Sequence, residues 1–252
     1  MAIGSYEYII EKNKVKTYIF GVDDYHSHLR IRPIVDYAKS GGFDNKNVFE
    51  IGCGRGLNAY EIYFNSNCFR KGNVYYGCDL DCDSIKRANK IKRILKTNNM
   101  YFWCEDAKET IHNININNID VVMMIDVLEH IGSDIRFLEE LNSLIRKDAI
   151  YVISVPTKSY PDVFGWRFHN SIGHVRRGYT ISELTNLMET IDKKLLFSSY
   201  ACNTFGAIGA KIYYNISPKL GLSRPIRDCL SAPFLLESKN SKKGTTLFAV
   251  FG

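Results

Sequence analysis

The sequence predicts an α/β fold, a mostly parallel sheet with helices on both faces. Three observations carry this expectation. A short apolar run at Val48 turns sharply through three glycines into a helix pattern. Strand-like and helix-like periodicities then alternate along the chain. Residues 119–125 form a near-continuous apolar run, as a central parallel strand covered on both faces requires.

The stretch Val48-Phe49-Glu50-Ile51-Gly52-Cys53-Gly54-Arg55-Gly56 organises the rest. Without Cβ atoms the glycines can take positive φ and let a ligand lie against bare backbone, while the following helix aims its free amides at that ligand. The dinucleotide fingerprint needs a sixth-position glycine where this chain has Leu57. Glu50 also adds negative charge where a pyrophosphate needs cover, so the turn suits a cationic ligand. S-adenosylmethionine, with an ammonium and a sulfonium and no phosphate, fits. The motif E-x-G-x-G-x-G resembles the first motif of class I S-adenosylmethionine-dependent methyltransferases. That resemblance implies a Rossmann-like methyltransferase fold: a seven-stranded, mostly parallel sheet with an antiparallel last strand. It also implies that Glu50, Gly52, Gly54 and Gly56 bind the cofactor.

Composition narrows the classes. The 252 residues have ordinary globular make-up and read as one domain over 1–252. Within it lie an N-terminal helical segment (1–45), a lid candidate (157–179) and an insertion before the last strand (202–237). The net charge of +6 permits an anionic partner without requiring one. Seven cysteines, odd in number and without a CxxC pair, argue against a zinc ribbon or a disulfide framework and for a reducing cytoplasm. No basic-then-apolar segment marks a signal peptide, and the most apolar run, 121–128, is broken by Asp126 and too short to span a bilayer. The expected location is cytoplasmic, with the membrane surface as a peripheral site.

In chain order, a helix is expected over about 24–40, closed by Gly41-Gly42, with His26, His28, Arg30 and Arg32 as a solvated basic face. The segment His28-Leu29-Arg30-Ile31-Arg32-Pro33 is similar to the pre-strand helix of ubiquinone-biosynthesis O-methyltransferases, which implies that Arg30 meets the cofactor's carboxylate. A strand at 74–78 ends in Asp79-Leu80-Asp81. An acidic residue there faces the ligand crevice and can accept both ribose hydroxyls, so Asp79-Leu80 is the ribose end, while Asp81 and Asp83 suit a helix cap. The helix over 84–96 keeps Ile85, Ala88 and Ile91 on one face and its basic residues in solvent. A strand at 100–104 delivers Glu105-Asp106-Ala107. This acidic-small pair resembles the family segment that caps the adenine ring, which gives Asp106 the exocyclic amine.

The run 119–125 ends in Asp126-Val127-Leu128-Glu129-His130-Ile131, polar groups at the C-terminal edge of a buried strand. It strongly resembles the methyltransferase D-V-L-E-H segment and adds Asp126 to the cofactor site. A helix (133–146), a strand (149–155) and the aromatic, arginine-bearing stretch 157–179 follow; a stretch so long without periodicity reads as a functional loop. Its Arg167, Arg176 and Arg177 suit an acceptor's phosphate or carboxylate. Thr180-Ile181-Ser182-Glu183 is a capping box. A strand over 194–200 should pair antiparallel with the last, 245–251. The insertion mixes apolar residues (Phe205, Ile208, Ile212, Tyr213, Tyr214) with Lys211, Lys219, Arg224 and Arg227, which suits either core or an anionic membrane surface.

The sulfonium already activates the methyl group, so the protein must align an acceptor, exclude water and take the acceptor's proton. His130 or His174 can act as base, helped by Glu129. Alternatively, Asp126, Glu129, His130 and His174 resemble the E-x-x-E-H plus distant histidine set that binds a divalent ion in ubiquinone-biosynthesis and small-RNA 2′-O-methyltransferases. That resemblance implies Mg, Mn or Zn, although Asp126 stands where the family has glutamate. A third reading has Glu129 and His130 merely bonding the strand edge. The expected function is S-adenosylmethionine-dependent O-methylation of a small-molecule, sugar or lipid-linked acceptor. The alternatives are RNA 2′-O-methylation with a divalent metal, or cofactor binding without catalysis.

Overall fold

The computed structural model describes residues 25–69, 72–114, 118–236 and 242–252. Residues 1–24 of the N-terminal segment, and the side chains of His26, His28 and Arg224, lie outside the described residues. Seven strands form one sheet: β1 (Val48–Ile51), β2 (Tyr75–Cys78), β3 (Met100–Trp103), β4 (Val121–Ile125), β5 (Ile150–Pro156), β6 (Leu195–Ala201) and β7 (Thr246–Phe251). Their order is β3-β2-β1-β4-β5-β7-β6, with β1 to β5 parallel and β7 antiparallel to both of its neighbours. This is the expected sheet.

Helices cover both faces because the strands are apolar on both. Along β4, Val121, Met123 and Ile125 join one core with residues of α1 (Tyr25–Lys39), α2 (Leu57–Asn65) and α3 (Cys82–Leu95). Val122 and Met124 join the other, with α4 (Ala107–Asn113), α5 (Asp134–Ser143) and α8 (Ile181–Glu189). The chain passes from β1 outward to β3 and then returns to β4 beside β1. The carboxyl ends of β1 and β4 therefore flank the point where strand order reverses, the place where such sheets keep their ligands.

Three sequence readings are corrected or completed. The stretch 157–179 is not a loop throughout: it contains α6 (Tyr160–Phe164) and α7 (Trp166–Ser171). Helices of five and six residues are too short to display a period. The insertion forms α9 (Thr204–Lys211), continued by a π-helical turn (Ile212–Ile216) and a short helix (Ser217–Lys219), then α10 (Arg224–Ser231). Finally, Cys82 and Cys104 form a disulfide, against the expectation of none, while Cys53, Cys68, Cys78, Cys202 and Cys229 are not disulfide-bonded. The pair is invisible to a CxxC search because it depends on register: Cys78 lies opposite Trp103, so the loops leaving β2 and β3 run side by side.

Candidate functional site

All three glycines of the turn have positive φ: +71° at Gly52, +52° at Gly54 and +71° at Gly56. Two of them are also packed. A Cβ on Gly52 would lie 2.7 Å from Val127 Cγ2, and one on Gly56 would lie 2.7 Å from the Phe102 ring. At Gly54 a Cβ would meet only the Asp79 carboxylate, at 4.0 Å, so the backbone there is open to a ligand. The Gly54 amide donates to Asp79 Oδ2 at 2.8 Å, and the Asp81 amide donates to Asp79 Oδ1 at 2.8 Å. Asp79 thus fixes the turn while its remaining lone pairs stay available. Glu50 is wholly buried and accepts from Asn58 Nδ2 at 2.6 Å and from the Tyr75 hydroxyl. Burial pushes its carboxyl up to about 7, against those two hydrogen bonds, which pull it down.

The adjoining loops are built from caps. Asp81 caps α3, accepting from the Asp83 amide, as the sequence suggested. Asp106 caps α4, its Oδ1 accepting from the amides of Lys108 (2.8 Å) and Glu109 (2.9 Å), and Ala107 is the buried first residue of that helix. Leu80 is exposed. The Cys82–Cys104 disulfide ties the Asp79-Leu80 loop to the Asp106-Ala107 loop, the two that the sequence assigns to ribose and adenine.

The end of β4 differs. Asp126 adopts positive φ (+52°) and its carboxylate pairs with Arg30, whose Nε is buried without a partner. Glu129, on the one-turn helix Leu128–His130, is wholly buried, and neither of its carboxylate oxygens has a hydrogen-bond donor. Its Oε1 lies 3.8 Å from His174 Nε2 and 4.0 Å from His130 Nε2. One ligand atom each from Glu129, His130 and His174 can be drawn within 4.8 Å of one another. The expected fourth member, Asp126, stands outside this group because Arg30 holds its carboxylate. Burial raises Glu129 to about 8 and lowers His174 to about 4. His174 is therefore neutral at physiological pH, and its Nδ1 is buried without a partner.

The lid is pinned over this group. Val175 N donates to the Glu129 carbonyl at 2.9 Å, and His130 Nδ1 lies 3.1 Å from the Gly173 carbonyl. Arg176 pairs with Asp134, and Arg177 pairs with Asp162 at 2.6 Å while stacking on Trp166. These two arginines, expected to face an acceptor's anion, instead hold the lid. His169 was overlooked as a site residue. It is buried edge-on against His174 with centroids 4.7 Å apart, and its Nε2 lies 3.1 Å from the Arg176 carbonyl. Only its place in an aromatic, histidine-rich stretch could have flagged it.

Residues 25–195 match a family model described as a methyltransferase domain. The chain belongs to that family. It is an S-adenosylmethionine-dependent methyltransferase of class I. Its fold is similar to that of a methyltransferase from Archaeoglobus fulgidus (21% identity, 88% of this chain and 90% of that one, TM-score 0.53). It is also similar to magnesium protoporphyrin IX methyltransferase from Synechocystis with bound S-adenosylhomocysteine (15%, 78% and 91%, 0.52). A third similar structure is coclaurine N-methyltransferase with N-methylheliamine and S-adenosylhomocysteine (14%, 88% and 72%, 0.58). At these identities the likeness shows the fold alone. No curated protein matches the sequence. Among the described residues no helix is long and apolar enough to cross a membrane.

Proposed function

We propose that this methyltransferase methylates an oxygen of a small-molecule or lipid-linked acceptor, with Glu129, His130 and His174 handling the acceptor's proton. One observation carries the reading: a wholly buried carboxylate with no donor on either oxygen, beside two imidazoles at the switch point of the sheet. An unsatisfied buried polar group costs about 1–3 kcal/mol, more if charged, and persists where a ligand completes it. Nitrogen acceptors already carry a lone pair in their neutral form; a hydroxyl needs a base.

In this reading Gly54 and Asp79 receive the nucleoside, Asp106-Ala107 borders the adenine, and Glu50 supplies negative field beneath the turn. Arg30, with a donor to spare, meets the cofactor's carboxylate beside Asp126. Bound there, S-adenosylmethionine supplies a methyl group that its sulfonium has already activated. His174, neutral and with an unpartnered nitrogen, takes the hydroxyl proton, and Glu129, in its ionised form, stabilises the imidazolium that results. Glu129, His130 and His174 also fit a divalent ion, their unpartnered oxygens and imidazoles being suitable donors; such an ion would lower the acceptor's pKa as a Lewis acid. RNA as acceptor has less support, because Arg176 and Arg177 are occupied within the protein.

The test offers methyl-labelled S-adenosylmethionine with lipid, small-molecule and RNA extracts to wild type and to Glu129→Gln. Label in a base-stable ether of the lipid or small-molecule fraction, reduced about 10²-fold or more in the variant, is the expected result. Label on nitrogen, or a fully active variant, would overturn it.

A further inference from the structure

The insertion contains a helix turned inside out. In α10, Asp228 (5% exposed) and Ser231 (0%) face the protein, while Ile226 (48%) and Leu230 (47%), one turn apart, face outward. The inward face is anchored by polar contacts: Ser231 Oγ donates to the Gly209 carbonyl at 3.4 Å, and Arg227 lies over the Tyr213 ring at 5.2 Å. A helix on a water-facing surface shows the reverse pattern. Around it the apolar exposure continues. On α9, Ala207 and Ala210 are buried against Leu29 and Cys202, whereas Phe205 and Ile208 are exposed, and Leu220 and Leu236 extend the patch at either end of α10.

The charges in this segment are one-sided. The insertion, residues 202–237, holds four basic residues, Lys211, Lys219, Arg224 and Arg227, and two acidic ones, Glu237 at its end and Asp228, which is buried. Lys211 and Lys219 are exposed. Apolar side chains interspersed with cations, with no outward acid among the described residues of the segment, match the boundary of an anionic bilayer, with helices too short to cross it. We infer that the outer face of residues 205–236 docks on an anionic lipid surface. The patch also adjoins the site: His174 touches Tyr160 (5.7 Å between centroids), Tyr160 touches Phe164 (4.6 Å), and Phe164 packs into the cluster that α9 builds with Phe234. If the acceptor is the lipid-borne one proposed above, this chain of rings marks its way from membrane to base; the docking itself does not depend on that reading.

The full chain is sedimented with phosphatidylcholine vesicles with and without phosphatidylglycerol, over a range of salt, beside Ile226→Gln/Leu230→Gln and Lys211→Gln/Lys219→Gln. All four positions are exposed, and a thermal melt checks that both variants fold. Wild type should pellet with the anionic vesicles only and be released by salt. The lysine variant should bind about tenfold or more weakly, and the apolar variant should lose binding even at low salt. No pelleting at low salt, or pelleting equal in both variants, would overturn the inference. So would a wild-type dimer in sedimentation velocity that the apolar variant dissolves without any vesicle binding, since the patch would then meet a second copy. Pelleting is read without turnover, so its failure leaves the proposed chemistry standing, and inactivity of a pelleting enzyme leaves the docking surface standing.

Discussion

The two ends of the crevice solve their polar groups differently. At the cofactor end, Asp79 receives the amides of Gly54 and Asp81, Asp106 receives those of Lys108 and Glu109, and Glu50 receives Asn58 and Tyr75. At the acceptor end, both oxygens of Glu129 and Nδ1 of His174 have no donor or acceptor, though they are buried, as Glu50 is, while Asp79 is half-buried and Asp106 exposed. The first end is a scaffold satisfied except at Arg30, whose Nε has no partner; the second is held together by Val175, Arg176 and Tyr179 around groups that the fold itself leaves unsatisfied. Polar satisfaction therefore separates residues that shape a site from residues that wait for a reactant.

The comparison breaks most sharply at His174 and Glu129. His174→Ala should lower methyl transfer about 10²- to 10⁴-fold in a labelled-methyl assay while leaving cofactor affinity near wild type. Loss of cofactor affinity of the same size would merge the two ends. Next in size is the disulfide. Reducing Cys82–Cys104, or Cys82→Ser, should lower unfolding free energy by about 3 kcal/mol in a denaturant titration, given its sequence separation of 22 residues. Glu50 gives an effect of similar order. Its folded pKa, about 7, lies above the ordinary value of 4.5, so its protonated form is favoured in the fold. The stability it contributes is full below about 4.5 and declines by about 3 kcal/mol as pH rises through about 7. Glu50→Gln should flatten that part of the pH profile of the ligand-free protein, and a cationic cofactor should stabilise wild type more strongly above pH 7 than below. The smallest effect sharpens the contrast from outside: Lys108→Ala, which breaks an exposed pair with Glu140, should change stability by about 1 kcal/mol or less and touch neither end.

How much of this was legible depended on range. The glycine turn, the acidic ends of β2 and β4 and the capping box at Thr180 are local patterns, so their elements and positions could be read directly, as could the buried run of β4. Asp126 could not. Its spacing from Glu129 and His130 suits a ligand set, but its partner is Arg30, 96 residues away, and only the packing of α1 brings them together. Arg176 and Arg177 failed likewise: their sequence shows cations near aromatics, whereas Asp134 and Asp162 claim them in three dimensions. The Cys82–Cys104 pair needed strand register. For the insertion, composition named Phe205 and Ile208, which face out, together with Tyr213, which is buried, and missed Ile226 and Leu230, because α10 is amphipathic in the direction opposite to that expected of a helix in water.

Calorimetric titration of S-adenosylmethionine into wild type, Asp79→Ala and Glu129→Gln tests the division of the crevice most directly and needs no knowledge of the acceptor. Asp79→Ala should bind about 10- to 100-fold more weakly, the loss of a charged acceptor being worth about 1.5–3 kcal/mol. Glu129→Gln should bind within about twofold of wild type, since a neutral group of the same shape leaves the cofactor end intact. Tight binding by Asp79→Ala together with a large loss in Glu129→Gln would contradict the account.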